Sequence, residues 1–131
     1  MSMKAGDEAR VPDETLLWRR VPNWPDWTVF DENLGRARPS SLAFDDNRDG
    51  SPMSAFLEDH GNSVEDVLRD HETFYLAAVP AGLVRANGLT IVHDPLQDLP
   101  SHVEVPGAKP KRVKSALAKA AVWIVPPPDA A

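Results

Sequence analysis

His93 and His102 are the side chains of this 131-residue chain best suited to acid–base chemistry. Imidazole titrates near neutral pH, so two histidines can act together as general acid and general base. His93 ends one predicted strand and His102 begins the next, and antiparallel pairing would bring both rings to one end of a sheet. With Asp94 they could instead bind a divalent metal, but no HxH or HExxH spacing supports this, and we predict no metal site. The simplest alternative is two ordinary polar residues at strand ends.

A second group of residues has the chemistry of an anion-binding site. Guanidinium groups bind phosphate or carboxylate through paired hydrogen bonds, and serine hydroxyls can complete such a pocket. Neighbouring residues of a strand point to opposite faces, so one of Arg19 and Arg20 faces inward and needs an acidic partner or a ligand anion. Ion pairing with the abundant Asp and Glu side chains is the alternative role. The candidate anion ligands are Arg19, Arg20, Arg38, Ser40, Ser41 and Arg85.

Trp24 and Trp27 lie on either side of Pro25 in a predicted turn. Large aromatic side chains that are exposed beside prolines are typical of protein interfaces. We therefore predict that these two tryptophans bind a partner, most simply another protein.

The charge of the chain is unevenly distributed. The net charge is −6; residues 1–108 hold 9 basic and 19 acidic side chains, whereas residues 109–131 hold 5 basic and one acidic. An acidic body repels phosphate, which argues against nucleic-acid binding except through the basic helix predicted at 111–121. That helix can equally be an exposed face that balances the acidic body. Its basic residues, with the one before it, are Lys109, Lys111, Arg112, Lys114 and Lys119.

The acidic loop at residues 45–50 superficially resembles a calcium-binding loop. It lacks the D-x-D-x-D-G register and a glutamate at the twelfth position, so we interpret it as a solvated loop.

The composition points to the cytoplasm. The chain has no cysteine, and its N-terminus has no apolar signal region. No apolar run approaches the roughly 20 residues that span a bilayer, so we expect no membrane association. There is also no P-loop, no GxGxxG after a strand and no GxSxG elbow, and we expect no cofactor.

Short apolar runs separated by turns predict a single α+β domain at residues 15–126. Runs near positions 17, 77, 91, 104 and 123 predict a central sheet of about five strands, mostly antiparallel or mixed. Three or four short helices complete the domain, the clearest beginning after Ser63, which is followed by acidic residues in the first turn. Residues 1–14 and 127–131 are predicted to be flexible tails.

Two stretches leave alternatives open. Ser51 and Pro52 resemble a helix start and Gly61 a stop, which favours a helix at 52–60, although a strand from Met53 to Leu57 also fits. The strands predicted at 74–79 and 89–92 are joined by a short helix and form a compact β-α-β unit.

These features support two functions. The first is a small acidic binding or accessory protein that acts through protein–protein contacts, for example by neutralising a basic partner. The alternative is a small enzyme that holds a phosphorylated or nucleotide-like ligand with arginines while the histidines transfer protons. Whether the chain is an enzyme depends on one distance: both groups must lie in one pocket to act on one small ligand.

Overall fold

The computed structural model of the protein describes residues 7–58 and 60–128. Within these residues the fold is a single α+β domain with a six-stranded antiparallel sheet, a separate two-stranded sheet and three α-helices. The fold class predicted from the sequence is therefore confirmed. Residues 1–6 and 129–131, which belong to the predicted tails, lie outside the described residues.

The described residues form eight strands, three α-helices and one 3₁₀ helix. The strands are β1 Leu16–Val21, β2 Thr28–Asp31, β3 Arg36–Pro39, β4 Met53–Leu57, β5 Tyr75–Pro80, β6 Val92–His93, β7 His102–Val105 and β8 Val122–Val125. The helices are α1 Val64–Val67, α2 Ala81–Ala86 and α3 Lys111–Ala120, with a 3₁₀ helix at Ser41–Phe44. In the described ranges, no helix combines the length and the apolar character needed to cross a membrane.

Strand β1 lies inside the large sheet, whose order is β6-β7-β4-β1-β5-β8. It pairs with β5 along all six of its residues and with β4 on its other side. β2 and β3 form a separate hairpin, whose turn at Gly35 uses the positive φ that glycine tolerates. This hairpin contacts the large sheet where Trp123 donates from Nε1 to the carbonyl of Ala37 at 3.2 Å.

Apolar side chains cover both faces of the large sheet. On one face Leu17 and Val79 pack with Val113 and Leu117 of α3. On the other face the core is smaller, and Phe56, Leu76 and Val67 of α1 form its centre. Burial of one such side chain contributes about 1.5–3 kcal/mol. The continuous apolar runs of the inner strands thus reflect a sheet that is covered on both sides.

Helix α1 begins as predicted. The Ser63 side chain accepts a hydrogen bond from the Asp66 backbone amide, and the Asp66 carboxylate accepts one from the Ser63 amide. This is the reciprocal capping box that the Ser63 signal and the acidic first turn indicate.

Of the two alternatives for this stretch, the helix at 52–60 is wrong and the strand is confirmed, because Met53–Leu57 is strand β4. It pairs with β1 and β7, so its apolar side chains are divided between the two covered faces. Ser51 does not cap a helix. Its hydroxyl donates to Asp49 Oδ1 at 2.6 Å and stabilises the preceding loop instead.

The compact β-α-β unit is also wrong. Strands β5 and β6 are separated in the sheet by β1, β4 and β7. Of the predicted strand 89–92 only Val92 belongs to an observed strand, β6, while Leu89 and Ile91 are buried without strand structure.

Residues 7–14, which the sequence analysis includes in a flexible tail, contact the domain through Arg85 of α2. Its guanidinium donates to the carboxylates of Asp7 at 3.2 Å and Asp13 at 2.7 Å, and also to the carbonyls of Glu8 and Val11. The Val11 side chain is buried in the main core.

Replacement of Arg85 by alanine is expected to lower the free energy of unfolding by about 2–3 kcal/mol, because it leaves the largely buried Asp7 carboxylate without its cation. The matched control is Arg69→Ala, which removes an exposed ion pair with Asp66 and is expected to change stability by at most about 0.5 kcal/mol. Urea unfolding measures both. Equal losses in the two variants would contradict the role assigned to Arg85.

Candidate functional site

The two histidines lie at the same end of the large sheet but on opposite faces. In the β6–β7 register His93 is paired with Val103, and the Asp94 amide donates to the His102 carbonyl at 3.0 Å. His93 and His102 are therefore offset by one residue, and a one-residue offset places two side chains on different faces. The expectation that pairing would bring the two rings together is wrong for this reason.

Each histidine is engaged by the loop between them. The Nε2 of His93 lies 2.8 Å from the Pro100 carbonyl, and the Nδ1 of His102 lies 2.8 Å from the Asp94 carbonyl. Because a carbonyl only accepts, these ring nitrogens donate. His102 is buried beside Phe56, at 5.5 Å between ring centroids.

Three of the predicted anion ligands, Arg38, Ser40 and Ser41, lie in or directly after the hairpin of β2 and β3. The Arg38 guanidinium donates to Asp31 Oδ2 at 2.7 Å and to the Pro39 carbonyl at 2.8 Å. Ser40 is buried, and its carbonyl accepts from Ala43 in the first turn of the 3₁₀ helix, where Ser41 also lies. Arg85 is bound to the N-terminal segment as described above. These residues do not line the cleft described below, which contains Arg19 and Arg20.

Arg19 is the arginine that faces the main core, and backbone carbonyls satisfy it. Its guanidinium donates to Ala43 and Ser54 at 2.8 Å each and to Asp45 at 3.3 Å. Burial and the positive charge of Arg20 lower the pKa of Arg19 to about 10, although Asp46 and Asp45 act in the opposite direction. Arg19 thus stays charged at neutral pH.

Arg20 points to the other face and lies over the Phe56 ring, with 4.7 Å between its guanidinium carbon and the ring centroid. Its Nε donates to the Val67 carbonyl at 2.7 Å. Burial lowers the pKa of Arg20. Among the described residues, its two terminal nitrogens have no hydrogen-bond partner and no carboxylate lies within ion-pair distance of the group.

The two tryptophans form an edge-to-face cluster at the end of β1. The ring centroids of Trp24 and Trp27 are 5.4 Å apart at an interplanar angle of 87°, and Phe74 packs on Trp24 at 6.2 Å. Asp26 adopts a positive φ of 72° in the turn between them. Trp27 packs against the main core, whereas Trp24 remains 50% exposed.

These arginines and tryptophans line one open cleft of about 420 Å³, which we call the Arg20 cleft. It lies at the end of the large sheet where β1 ends and where β4 and β5 begin. The volume falls in the range of about 300–1,000 Å³ that is typical of small-molecule sites. The lining residues are Arg19, Arg20, Pro22, Trp24, Trp27, Leu42, Asp45, Asp46, Asn47, Arg48, Ser54, Phe56, His71 and Phe74.

Sequence reasoning assigned no role in the site to Phe56, His71 or Phe74. Phe56 lay in a stretch predicted to be helical, and Phe74 in an apolar run that signals a buried strand. The Nδ1 of His71 lies 3.0 Å from the Arg69 carbonyl and therefore donates to it, which leaves Nε2 as an acceptor when the ring is neutral. Only the position of His71 a few residues beyond the predicted α1 could have indicated its place in the cleft.

The basic residues around α3 hold the acidic loop that forms one wall of the cleft. Lys109 is almost fully buried, and its Nζ donates to Asp46 Oδ1 at 2.6 Å and to the Val105 carbonyl at 2.7 Å. Lys114 lies 3.5 Å from Asp45. Two acidic groups of the wall are thereby neutralised from outside the cleft, while Lys111, Arg112 and Lys119 are exposed.

A second, smaller cavity of about 300 Å³ lies beside the N-terminal segment and includes His60 and His93. Hydrogen bonds from Arg10 hold the pKa of Glu8, another lining residue, at about 2. In the described part of the chain, no three His, Cys, Asp or Glu side chains are arranged to hold a metal ion. The Arg20 cleft is the larger of the two and places cationic donors next to aromatic rings.

Replacement of Lys109 by methionine is expected to lower the free energy of unfolding by about 2–3 kcal/mol, since it removes a buried cation from the Asp46 carboxylate. Hydrogen exchange of the Met53 amide, which also donates to Asp46 Oδ1, should accelerate. Lys111→Met, at an exposed position of α3, is the control and should change stability by less than about 0.5 kcal/mol. Unaltered exchange at Met53 in the Lys109 variant would show that the loop does not depend on this contact.

The Asp31 carboxylate is expected to titrate below its usual range. The Arg38 guanidinium, followed by the amides of Leu34 and Asn33, lowers the pKa of Asp31. Because the folded-state pKa is depressed, this stabilisation is complete above the ordinary carboxyl pKa of about 4 and is lost as the pH falls through the lower value. NMR titration of the Asp31 carboxyl tests this: the pKa should rise in Arg38→Gln and stay unchanged in Arg36→Gln, whose guanidinium contacts the Ala121 carbonyl.

Known proteins give no direct guide to the role of the cleft. No family model matches the chain, and neither the curated proteins nor the solved structures contain a match. Function must therefore be argued from the geometry of the site.

Proposed function

We propose that the protein acts by binding rather than by catalysis, and that the Arg20 cleft receives an anionic group, a carboxylate or a phosphate, from its partner. The proposal keeps the binding or accessory role that the sequence favours. It combines the predicted anion ligands Arg19 and Arg20 with the predicted partner-binding residues Trp24 and Trp27 in one site.

The observation that carries the proposal is the state of Arg20. A partly buried guanidinium loses part of its hydration. This loss costs free energy unless new hydrogen bonds and an opposite charge replace the contacts with water. In the described chain only its Nε is bound, and the terminal nitrogens of Arg20 are left for an acceptor from outside. A carboxylate or phosphate fits this planar pair of donors through two parallel hydrogen bonds.

Neighbouring charges favour an anion in the cleft. Arg19 adds a second positive charge that is bonded to backbone carbonyls; no carboxylate of the described residues forms an ion pair with it, although Asp46 and Asp45 are close enough to raise its pKa. The acidic groups of the wall, Asp45 and Asp46, are paired with Lys114 and Lys109. The body of the protein is otherwise acidic, so a single anionic group is favoured over an extended polyanion.

The enzymatic alternative finds less support in this geometry. Neither His93 nor His102 lines the Arg20 cleft. His102 shares the sheet face of Arg20, and the Phe56 ring lies 4.7 Å from the Arg20 guanidinium carbon and 5.5 Å from the His102 ring, so the two groups are within about 10 Å. The apolar Phe56 ring nevertheless lies between them, and His93 faces the opposite side.

Titration with inorganic phosphate or acetate, at constant ionic strength against chloride, should shift the indole N–H resonances of Trp24 and Trp27 with saturation. Replacement of Arg20 by glutamine should weaken this binding at least about tenfold, because two charge-assisted hydrogen bonds are lost. Glutamine can still donate to the Val67 carbonyl, and Arg20→Lys keeps the charge without the planar fork.

The control variant is Arg112→Gln, which removes an exposed positive charge outside the cleft and should leave binding unchanged. Circular dichroism of each variant checks that the fold is intact. A response that is unsaturable, or equal in the Arg20 and Arg112 variants, would overturn the proposal.

A further inference from the structure

The aromatic wall of the Arg20 cleft has a feature that an anion alone does not explain. Trp24 is 50% exposed, although it is one of the two tryptophans that line the cleft. Exposed tryptophan in a concave site is typical of a surface that is covered when a ligand binds.

The orientation of the Trp24 ring is fixed by its neighbours. Trp27 and Phe74 both contact it edge-to-face, at interplanar angles of 87° and 71°. Phe74 is supported in turn by His71, at 5.0 Å between ring centroids. A ring that is already held in place loses little conformational entropy when a second ring stacks on it, and it therefore forms a preorganised platform.

The Arg20 guanidinium and the Trp24 ring lie in one cavity of limited size. Arg20 and Trp24 both line the same 420 Å³ cleft, whose opening also carries the 43%-exposed Leu42. A ligand that fills this space can contact the guanidinium and an aromatic face at once only if it joins an anionic group to an apolar, planar body.

We infer that the ligand of the Arg20 cleft is a small aromatic anion: a planar ring that stacks on Trp24 and carries a phosphate or carboxylate that Arg20 binds. This inference rests on the proposed function and adds that the anionic group of the ligand is attached to an aromatic ring. Nucleoside monophosphates and phosphotyrosine share this chemistry and are its two natural sources. Flat π-faces of every base or phenyl ring stack on tryptophan without a need for specific hydrogen bonds.

Phenyl phosphate is the simplest probe, with inorganic phosphate and phenol as its separate halves. Calorimetric titration should give an affinity for phenyl phosphate at least about tenfold above that of either half, as expected for one ring stacked on an aromatic side chain. AMP and O-phosphotyrosine in the same assay distinguish the two sources, because the tighter ligand identifies the ring that the cleft accepts.

Trp24→Ala should abolish the tenfold advantage of phenyl phosphate while leaving the weaker binding of inorganic phosphate in place. The matched control is Phe30→Ala, which removes a 67%-exposed aromatic ring of β2 that does not line the cleft and should change neither affinity. Trp24→Phe keeps a ring at the same position and should retain part of the advantage. This variant controls for a loss of binding in Trp24→Ala that comes only from disruption of the turn.

The two proposals fail in different ways. If phenyl phosphate, AMP and O-phosphotyrosine all bind with the affinity of inorganic phosphate, and Trp24→Ala does not weaken them, the inferred aromatic ring of the ligand is wrong and the anion site remains. If none of the anions binds and Arg20→Gln changes nothing, the proposed function itself is wrong.

Discussion

The cleft depends on how the buried guanidinium of Arg19 is satisfied. An inward-facing cation beside a hydrophobic core requires compensation, which a carboxylate could have supplied. In this fold backbone carbonyls of Ala43, Asp45 and Ser54 supply it, so β1 is tied to the 3₁₀ helix and to β4 without loss of positive charge. The same bonds fix the positively charged Arg19 next to Arg20, so two cationic groups line the cleft together.

The uneven charge of the sequence has a related explanation. The acidic body and the basic C-terminal region meet where Lys109 and Lys114 of the α3 region reach Asp46 and Asp45 of the 45–50 loop. Neither lysine lines the cleft, so these pairs offset the charge of the two carboxylates from outside it. An acidic protein can thereby keep cationic groups in one cleft, since the interaction energy of exposed charges falls off over about 8 Å at physiological salt.

The sequence predicted most elements whose signals are local and fewer of those decided by distant contacts. Ser63 and its acidic neighbours identified α1, and the apolar run at 74–79 identified β5, because caps and burial on both faces leave local patterns. The local pattern of residues 52–60 fits both a helix and a strand, since β4 is a strand only by virtue of its neighbours β1 and β7. For the site, the arginines and tryptophans were both found, but as separate groups. The arginines and tryptophans line one cleft because of the turn after β1. The sequence around Phe56 and Phe74 indicates only core residues.

The register of β6 and β7 determines on which face of the sheet each histidine lies. A one-residue offset between β6 and β7 puts His102 on the face of Arg20 and His93 on the other, so the two imidazoles cannot transfer protons to one substrate atom. His102 donates from Nδ1 to the Asp94 carbonyl and packs against Phe56, whose ring lies between it and the guanidinium of Arg20. An anion held by Arg20 therefore meets fixed donors and aromatic faces. These contacts support the proposed role of the cleft in binding an anion.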